Sequence, residues 1–311
     1  MAFGLKHLFG IQGVSKEDIT SILDTAETFR EVLDRPIRIV PTLKGIAVLN
    51  LFYEDSTRTR ISFELAERRL SAEVVSFTKS ASSVSKGESL RDTVRNIEAM
   101  KIDVIVVRHT SPGVPRFLAD HTKCIIINAG DGTHEHPTQA LLDMLTMRQH
   151  FGKLNGLKVL IVGDILHSRV ARSEIWGLTT MGARVDVCGP ATLMPLFMDN
   201  LNVHSYPDFD KVIGKYDVVY MLRIQKERQS SGLIPSAREY TSMFGLTRER
   251  VLRMKDSAVV MHPGPINRGI ELDYDVADSG RSLILDQVTN GEAVRMAVLF
   301  LLTGRSGNEH S

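Results

Sequence analysis

Residues 46–70 read IAVLNLFYEDSTRTRISFELAERRL, an apolar run, then a basic, hydroxyl-rich turn, then an amphipathic segment. The unbroken apolar character of 46–52 predicts a buried strand. After the turn, apolar residues recur near the helical period at Ile61, Leu65, Ala66 and Leu70. This spacing predicts a helix over 57–70. The string STRTR at 56–60 is therefore expected at the first turn of a helix that follows a buried strand.

The STRTR string suits anion binding at that position. The first backbone N–H groups of a helix lack partners within the helix, and the helix dipole is positive there. Ser and Thr hydroxyls can donate to a phosphate, and the Arg58 guanidinium can bind two oxygens at once. The alternative is an ordinary N-cap followed by a solvated basic turn, although a cap needs one hydroxyl and the string has three. Both interpretations stay open on these residues alone.

Length and charge narrow the class of protein. The 311 residues leave room for about two domains of ~150 residues each. The 38 basic and 37 acidic side chains nearly cancel, so no bulk field would attract nucleic acid or a membrane surface. No apolar run reaches the ~18 residues of a spanning helix, and the N-terminus lacks the apolar core of a signal peptide. We expect a soluble, cytoplasmic protein with neither nucleic acid nor membrane as a partner.

The two cysteines, Cys124 and Cys188, both lie in apolar runs. Because a free cysteine behaves as a small apolar side chain, we expect both in the core. Their number and spacing predict neither a disulfide framework nor a cysteine-based zinc site.

Strands and helices alternate along the chain. A Ser-x-x-Asp start and helical spacing predict a helix over 15–33. Predicted strands of a first series cover 46–52, 74–77, 103–107 and 123–128, and those of a second series cover 157–162, 183–188, 217–221 and 258–261. The alternation predicts an α/β protein with two doubly wound parallel-sheet domains and right-handed crossovers. The Ser- and Lys-rich stretch 78–87 predicts a mobile loop.

Interdomain helices are expected to join the two domains. One begins at His136-Pro137, with the proline in its first turn. The other is the apolar helix at about 291–302, which lacks a wide polar face and should return to the first domain. The predicted domains are 1–137 plus 291–311, and 138–290.

Basic and polar residues follow the predicted strands, at the edge where parallel sheets bind ligands. They are Arg58, Arg108, His136, Gln139, Arg169, Arg223, Gln225 and the turn His262-Pro263-Gly264-Pro265. Each one alone is more simply a surface cation or a hydrogen-bonding side chain. As a group they indicate an anion-binding site, because several guanidiniums are costly to desolvate unless anions bind among them. The implied ligands therefore carry several negative charges. No dinucleotide fingerprint, P-loop or carboxylate cluster is present, so neither cofactor nor metal is predicted.

The strings STRTR at 56–60 and HPTQ at 136–139, in this order and separation, resemble the carbamoyltransferase family, whose members join carbamoyl phosphate to an amine. Later strings resemble the branch that uses aspartate: VGD at 162–164 followed by Arg169, RIQKER from Arg223, and HPGP at 262–265. The His-Cys-Leu-Pro turn and Ser-Met-Gly loop of the ornithine branch are absent. The resemblance covers nearly the whole chain.

The resemblance implies a fold of two domains and a homotrimer with active sites shared between neighbouring subunits. It implies transfer of the carbamoyl group to the α-amino group of L-aspartate, an early step of de novo pyrimidine synthesis, without a cofactor. Gly264 stands where many members have Leu, a variant similar to the branch that often works without zinc-bearing regulatory chains and in some cases beside dihydroorotase. The identity of any such partner stays open.

The resemblance also implies residue roles. Residues implied to bind the phosphate and the start of the carbonyl group are Ser56, Thr57, Arg58, Thr59 and Arg108. The carbonyl oxygen is polarised by His136 with Thr59, and the carbamoyl amide is held by Gln139 and the backbone carbonyls of Pro263 and Gly264. The two carboxylates of aspartate are gripped by Arg169, Arg223 and Gln225. Counting back from the Lys-Gly-Glu string, the polar loop supplies Ser82 and Lys86 to the neighbouring subunit, and the run of serines leaves the choice of Ser82 open.

The implied catalytic set is Arg58, Thr59, Lys86, Arg108 and His136, and Lys86 is implied to contact both substrates. Two other functions stay open. The acceptor could be ornithine or another amine, although Arg223 would repel an ammonium group. The chain could also be a non-catalytic subunit that binds a phosphorylated metabolite, although every implied catalytic position is present.

Overall fold

A computed structural model describes residues 3–78, 89–196, 198–224 and 236–306. The predicted site residues Ser82, Lys86 and Gln225, and the predicted mobile loop beyond residue 78, lie outside the described residues. The chain divides into two compact units, here called unit 1 (Met1–Leu145 with Thr289–Ser311) and unit 2 (Thr146–Val288).

Unit 1 is built on a parallel sheet that has four strands among the described residues. They are β1 (Ala47–Phe52), β2 (Glu73–Thr78), β3 (Val104–His109) and β4 (Ile125–Asp131). The order across the sheet is β2-β1-β3-β4. Its helices include α1 (Lys16–Leu33), α2 (Thr57–Arg69), α3 (Leu90–Ala99) and α4 (Val114–Ala119). The central strands are buried on both faces, which is why they read as continuous apolar runs.

Unit 2 is built on a second parallel sheet, with five strands among the described residues in the order β7-β6-β5-β8-β9. They are β5 (Lys158–Val162), β6 (Arg184–Cys188), β7 (His204–Tyr206), β8 (Val218–Met221) and β9 (Val259–Met261). The helices from the end of unit 1 onward are α5 (Pro137–Phe151), α6 (Arg169–Thr180), α7 (Ala237–Phe244), α8 (Arg248–Val251), α9 (Tyr274–Ala277) and α10 (Ile284–Ser306). The boundaries between the units fall within α5 and α10.

The predicted fold class is confirmed by the two parallel α/β sheets. The predicted start of α1 is also confirmed, because the Ser15 hydroxyl accepts a hydrogen bond from the Asp18 N–H at 3.0 Å. The strand β7 and the start of α10 differ from the sequence prediction. The edge strand β7 is missed because its three residues are not buried and form no apolar run. Helix α10 begins at Ile284, earlier than 291, because polar residues interrupt the apolar run in its first two turns: Asp286, Gln287, Thr289 and Asn290.

Helix α10 packs against α2 within unit 1. The Arg295 Nη1 donates to the Ser62 hydroxyl at 2.8 Å, and its guanidinium lies 5.1 Å from the centre of the Phe63 ring. Arg69 pairs with Glu292 at 2.8 Å. Burial lowers the pKa of Arg295 to about 10, so the group stays a cation at neutral pH. A cation–π contact and an ion pair thus fix α2, the helix that carries STRTR, against α10.

Both cysteines are free, buried and part of the core, as predicted. Burial raises the pKa of both thiols, that of Cys188 to about 12, so neither is a thiolate at neutral pH. Within the described ranges, no helix combines the length and hydropathy needed to cross a bilayer. The same part of the chain holds no group of three His, Cys, Asp or Glu side chains placed to bind a metal ion.

Gly163, which directly follows β5, has a φ of 134°, a value that residues with a side chain rarely adopt. A Cβ atom there would lie 3.0 Å from Leu222 Cβ and 3.1 Å from the Tyr240 hydroxyl. Gly152 also has a positive φ, 74°, but a Cβ atom there meets nothing within 4 Å. Gly152 therefore has a positive φ without crowding, whereas Gly163 combines crowding with a φ farther from the left-handed region.

We expect Gly152→Ala to lower the free energy of unfolding by about 1–2 kcal/mol, the cost of a left-handed backbone. Gly163→Ala should cost about 1–3 kcal/mol more, because crowding adds to a backbone conformation that is more strained for alanine. Urea unfolding of both variants at one protein concentration measures the difference. Equal losses would show that neither the crowding at Gly163 nor its larger φ adds to the cost.

Candidate active site

Strands β1 and β3 bring the first predicted site residues to one edge of the unit 1 sheet. Phe52, the last residue of β1, pairs with Arg108 of β3, and the Tyr53 N–H donates to the Arg108 carbonyl at 2.9 Å. Because the strands are parallel, the segment that leads to Ser56 and the side chain of Arg108 start from the same edge.

The STRTR turn opens α2 without a side-chain cap. Ser56 is the N-cap residue, but its hydroxyl donates to the Thr59 hydroxyl at 3.0 Å and accepts no N–H from the first turn. By contrast, Ser89 and Ser168 each cap their helices by accepting a backbone N–H. The alternative of an ordinary serine cap is therefore wrong for α2. Thr59 is buried, whereas Thr57 and Arg58 are exposed.

Arg108 is held in a fixed orientation by two hydrogen bonds within unit 1. Its Nη2 donates to Glu54 Oε1 at 2.7 Å, and its Nη1 donates to the Ala129 carbonyl at 3.2 Å. The side chain is largely buried, which strengthens the pair with Glu54. Sequence reasoning missed Glu54; the available signal was an acidic residue between a buried strand and a basic turn.

His136 and Gln139 lie at the start of α5 and are both buried. The Gln139 amide Nε2 donates to the two carboxylate oxygens of Asp143, at 3.2 and 3.1 Å. With its N–H₂ group turned to Asp143, Gln139 presents its carbonyl oxygen elsewhere as an acceptor. Asp143 was missed by sequence reasoning, although it stands one helical turn after Gln139 on the same face.

The loop before His136 is fixed by a buried polar network at the end of β4. Asp131 accepts from Asn128 Nδ2 at 2.8 Å and from the Gly113 N–H at 2.8 Å, and pairs with the His134 ring. Burial alone would raise the pKa of Asp131, but these hydrogen bonds, led by that of His134, lower it overall. An ionised Asp131 therefore anchors the approach to His136.

In unit 2, Arg169 is the first residue of α6 and is buried. The hydroxyl of Ser168 caps the helix by accepting the Ala171 N–H at 3.1 Å. Asp164, just after β5, accepts the His167 N–H at 3.1 Å and contacts its ring Nδ1 at 3.0 Å. Side chains of the loop itself, Asp164 and Ser168, thus fix the backbone between the end of β5 and the first turn of α6.

Arg223 lies two residues after β8, the strand next to β5 in the same sheet. Val162 of β5 pairs with Met221 of β8, and the Leu222 N–H donates to the Val162 carbonyl at 2.8 Å. The loops that carry Arg169 and Arg223 therefore leave one edge of the unit 2 sheet. The next predicted residue, Gln225, is not described.

The HPGP turn follows β9 and is organised by a buried carboxylate that sequence reasoning missed. The Gly264 N–H donates to His262 Nδ1 at 2.8 Å, so this nitrogen is an acceptor and His262 Nε2 carries the proton. That nitrogen lies 3.3 Å from Glu271 Oε1, and both side chains are fully buried. Glu271 Oε1 also accepts the Asn267 N–H at 2.6 Å. Glu271 thus contacts the first residue of the turn and the backbone just after its end.

Asn267 links this turn to the segment of Arg223. Its Nδ2 donates to the carbonyl of Ile224, the residue after Arg223, at 3.2 Å. Pro263 and Gly264 lie between His262 and this link, and Gly264 has a φ of 64° that favours glycine. Glu271 therefore positions, through Asn267, the segment that follows β8.

Two family models match most of the chain. Residues 6–149 match the family model "Aspartate/ornithine carbamoyltransferase, carbamoyl-P binding domain", and residues 155–302 match "Aspartate/ornithine carbamoyltransferase, Asp/Orn binding domain". The chain belongs to the aspartate/ornithine carbamoyltransferase family.

Full-length relatives lie in the aspartate branch of that family. The aspartate carbamoyltransferase catalytic subunit of Halothermothrix orenii is 53% identical over 309 residues, which cover 99% of each chain. The catalytic subunit of M. jannaschii aspartate transcarbamoylase is 37% identical with a TM-score of 0.86, over 99% of this chain and 100% of that one. The Trypanosoma cruzi aspartate transcarbamoylase in complex with carbamoyl phosphate and aspartate is 31% identical with a TM-score of 0.86, over 96% and 97%.

We expect Glu271→Leu to destabilise the protein by about 3–5 kcal/mol, because it leaves the buried His262 Nε2–H and Asn267 N–H without their acceptor. The control Asp275→Asn removes an exposed carboxylate from the same segment and should change stability by less than about 0.5 kcal/mol. Urea unfolding of the two variants tests the difference. A Glu271→Leu variant as stable as the control would show that Glu271 does not organise the turn.

Proposed function

We propose that this protein transfers the carbamoyl group of carbamoyl phosphate to the α-amino group of L-aspartate, giving N-carbamoyl-L-aspartate and phosphate. The observation that carries the proposal is the first turn of α2, which has no serine cap and starts from the same sheet edge as Arg108. Such a turn offers backbone N–H groups, hydroxyls and guanidiniums to a dianionic phosphate.

In this proposal, unit 1 holds carbamoyl phosphate. The residues proposed to bind its phosphate are Ser56, Thr57, Arg58, Thr59 and Arg108. The bond from Glu54 orients Arg108 before substrate arrives, so less side-chain entropy is lost on binding. His136 and Thr59 polarise the carbonyl oxygen.

Gln139 is proposed to recognise the carbamoyl amide. Because its own N–H₂ group faces Asp143, its Oε1 is the atom that accepts from the carbamoyl N–H₂. The backbone carbonyls of Pro263 and Gly264 are proposed to accept the remaining N–H. An amide with two N–H bonds is thereby distinguished from an acetyl group, which has none.

Unit 2 is proposed to hold aspartate. Arg169, Arg223 and Gln225 bind its two carboxylates, and each guanidinium can form a bidentate pair. The same cations would repel the side-chain ammonium of ornithine. The aspartate-branch relatives support this choice of acceptor.

The chemistry follows from where charge develops. The neutral amine of aspartate attacks the carbonyl carbon, the C–N bond forms, and the bond from that carbon to the phosphate oxygen breaks. Negative charge grows first on the carbonyl oxygen and then on the departing phosphate, where His136, Thr59 and the guanidiniums stabilise it. One oxyanion donor typically contributes about 3–4 kcal/mol, and alignment of two substrates about 7 kcal/mol or more. The departing phosphate is the proposed acceptor of the amine proton.

A homotrimer with shared sites is part of the proposal. Ser82 and Lys86 are proposed to enter the neighbouring subunit's site, with Lys86 reaching both substrates. The exposed apolar residues of α2 and the edge strand β2 support contact with a second copy of the chain: Ile61 (46% exposed), Leu65 (40%) and Val75 (48%). The place of the reaction early in pyrimidine synthesis, a cytoplasmic setting, and a dihydroorotase or regulatory partner remain predictions.

Carbamoyl transfer by the purified chain tests the proposed reaction. Supplied with carbamoyl phosphate and no added metal, the protein should form product with L-aspartate and none with L-ornithine. Arg223→Ala should raise KM for aspartate about tenfold or more, because a charged hydrogen bond is lost. The control Arg248→Ala removes an exposed arginine of unit 2 and should leave KM unchanged. Product with ornithine would overturn the acceptor assignment, and no product with either would favour a binding subunit.

Mixed trimers test the shared site. Lys86→Ala and Arg58→Ala are each expected to be nearly inactive. Trimers re-formed from both variants should regain activity, because some sites then combine an intact Arg58 with a neighbour's intact Lys86. Native mass spectrometry verifies that the mixed trimers form. If verified mixed trimers remain as inactive as their parents, each site is built from one chain.

A further inference from the structure

A carboxyl group is buried between α2 and β1, beneath the helix that begins with STRTR. Glu67 of α2 and Asn50 of β1 are both fully buried. Asn50 Nδ2 donates to Glu67 Oε2 at 2.7 Å. Among the described residues, Glu67 forms no salt bridge within 4.0 Å. A lone buried carboxylate is costly, since a charge in the interior normally has a counter-charge.

The other two polar atoms of this pair lack a hydrogen-bond donor within the described ranges. Asn50 Oδ1 and Glu67 Oε1 are both buried, and neither has a hydrogen-bond partner in the described part of the chain. If Glu67 is ionised, both atoms are acceptors and both stay unsatisfied. A single proton on Glu67 Oε1 can satisfy them together by donating to Asn50 Oδ1. The acid and the amide then face each other through two hydrogen bonds, which form a closed ring.

We propose that Glu67 is a neutral carboxylic acid that donates to Asn50, and that this pair is a positioning device that seats α2, and with it the STRTR turn, on β1. The protonation of the pair does not depend on the proposed function. Its effect on anion binding rests on that function, because it requires STRTR to bind carbamoyl phosphate.

The surroundings favour the neutral form. Burial raises the pKa of Glu67 to about 8; the hydrogen bond from Asn50 and the charge of Arg68 act against this, and Glu64 adds to it. Strand β1 contributes no titratable residue. Charged residues on the elements packed against this part of α2 include Glu73 of β2, and Glu292 and Arg295 of α10. Of these, Glu292 is paired with Arg69, and Arg295 contacts Ser62 and Phe63.

The sign of the pH dependence follows from the raised pKa. Between about pH 4.5 and pH 8 the folded chain keeps a proton on Glu67 that the unfolded chain has lost. Unfolding therefore releases a proton, and the stability contributed by Glu67 is complete below this window and is lost as pH rises through it. The unfolding equilibrium constant should increase up to about tenfold per pH unit from this group. Above about pH 8 the charged carboxylate is buried, which weakens the seating of α2.

Glu67→Gln tests the pair, because glutamine has nearly the shape of the neutral acid and never ionises. Its N–H₂ group can donate to Asn50 Oδ1, and its carbonyl can accept from Asn50 Nδ2. We expect the variant to match the wild type at about pH 5 and to become progressively more stable than it toward pH 8, by up to about tenfold in the equilibrium constant per pH unit. Urea unfolding at fixed protein concentration measures this. The control Glu64→Gln removes an acidic residue one turn away that accepts a hydrogen bond from the Ser76 hydroxyl. Its unfolding equilibrium constant should depend on pH as that of the wild type does.

The proposal is overturned if the unfolding equilibrium constant changes with pH equally in the wild type and in Glu67→Gln. That result would mean that Glu67 is ionised when the protein is folded. Failure of Glu67→Gln to fold also overturns it, since an amide should replace a neutral acid. An independent measurement uses the wild type: the infrared carbonyl stretch of a protonated carboxylic acid should be present at pH 7, disappear toward pH 9, and be absent from Glu67→Gln. No such band at pH 7 contradicts the proposal.

A measurement of carbamoyl phosphate binding distinguishes failure of the Glu67–Asn50 proposal from failure of the proposed function. In the wild type, the dissociation constant of carbamoyl phosphate should rise above about pH 8 more steeply than in Glu67→Gln. Identical pH profiles, with the stability difference present, overturn the positioning role. If neither protein binds carbamoyl phosphate, the proposed function fails, and the unfolding and infrared results still decide whether Glu67 is protonated.

Discussion

The parallel pairing of β1 with β3 is the constraint on which the candidate site depends. Parallel strands bring their carboxyl ends to one edge, so the STRTR turn after β1 and Arg108 at the end of β3 share it. The helix after β1 then directs its N-terminal N–H groups toward that edge. The sheet of unit 2 repeats the arrangement, since β5 and β8 pair directly and lead to Arg169 and Arg223.

Three parts of the candidate site are each oriented by an acidic residue that is not itself a predicted site residue. Glu54 holds Arg108, Asp143 holds the amide of Gln139, and Glu271 holds the HPGP turn through His262. Buried polar groups need such bonds, because an unsatisfied donor or acceptor is costly in the interior. The same requirement draws attention to Asn50 and Glu67, where one proton would satisfy two atoms. The orientation of the site and the stability of its scaffold therefore arise from the same contacts.

The apolar runs were sufficient to predict most strands, because the centres of strands that are buried on both faces consist mainly of Val, Ile and Leu. The short edge strand β7 carries no such signal, and its three residues gain their structure from pairing with β6. Acidic partners such as Glu54 and Asp143 were missed for another reason. A carboxylate in a loop or helix has the same local signature whether it is solvated or paired with a buried cation.

The sequence by itself determined the alternation of strands and helices, the position of STRTR at a helix start, and the family, because these depend on local spacing and on strings of adjacent residues. Only the tertiary structure decided that Ser56 bonds to Thr59 instead of capping α2, and that α10 contacts α2 through Arg295. It also decided which carboxylates are buried beside which cations or amides. These contacts join residues far apart in the chain or choose among equivalent local hydrogen bonds, so their energies depend on the folded arrangement and not on sequence spacing.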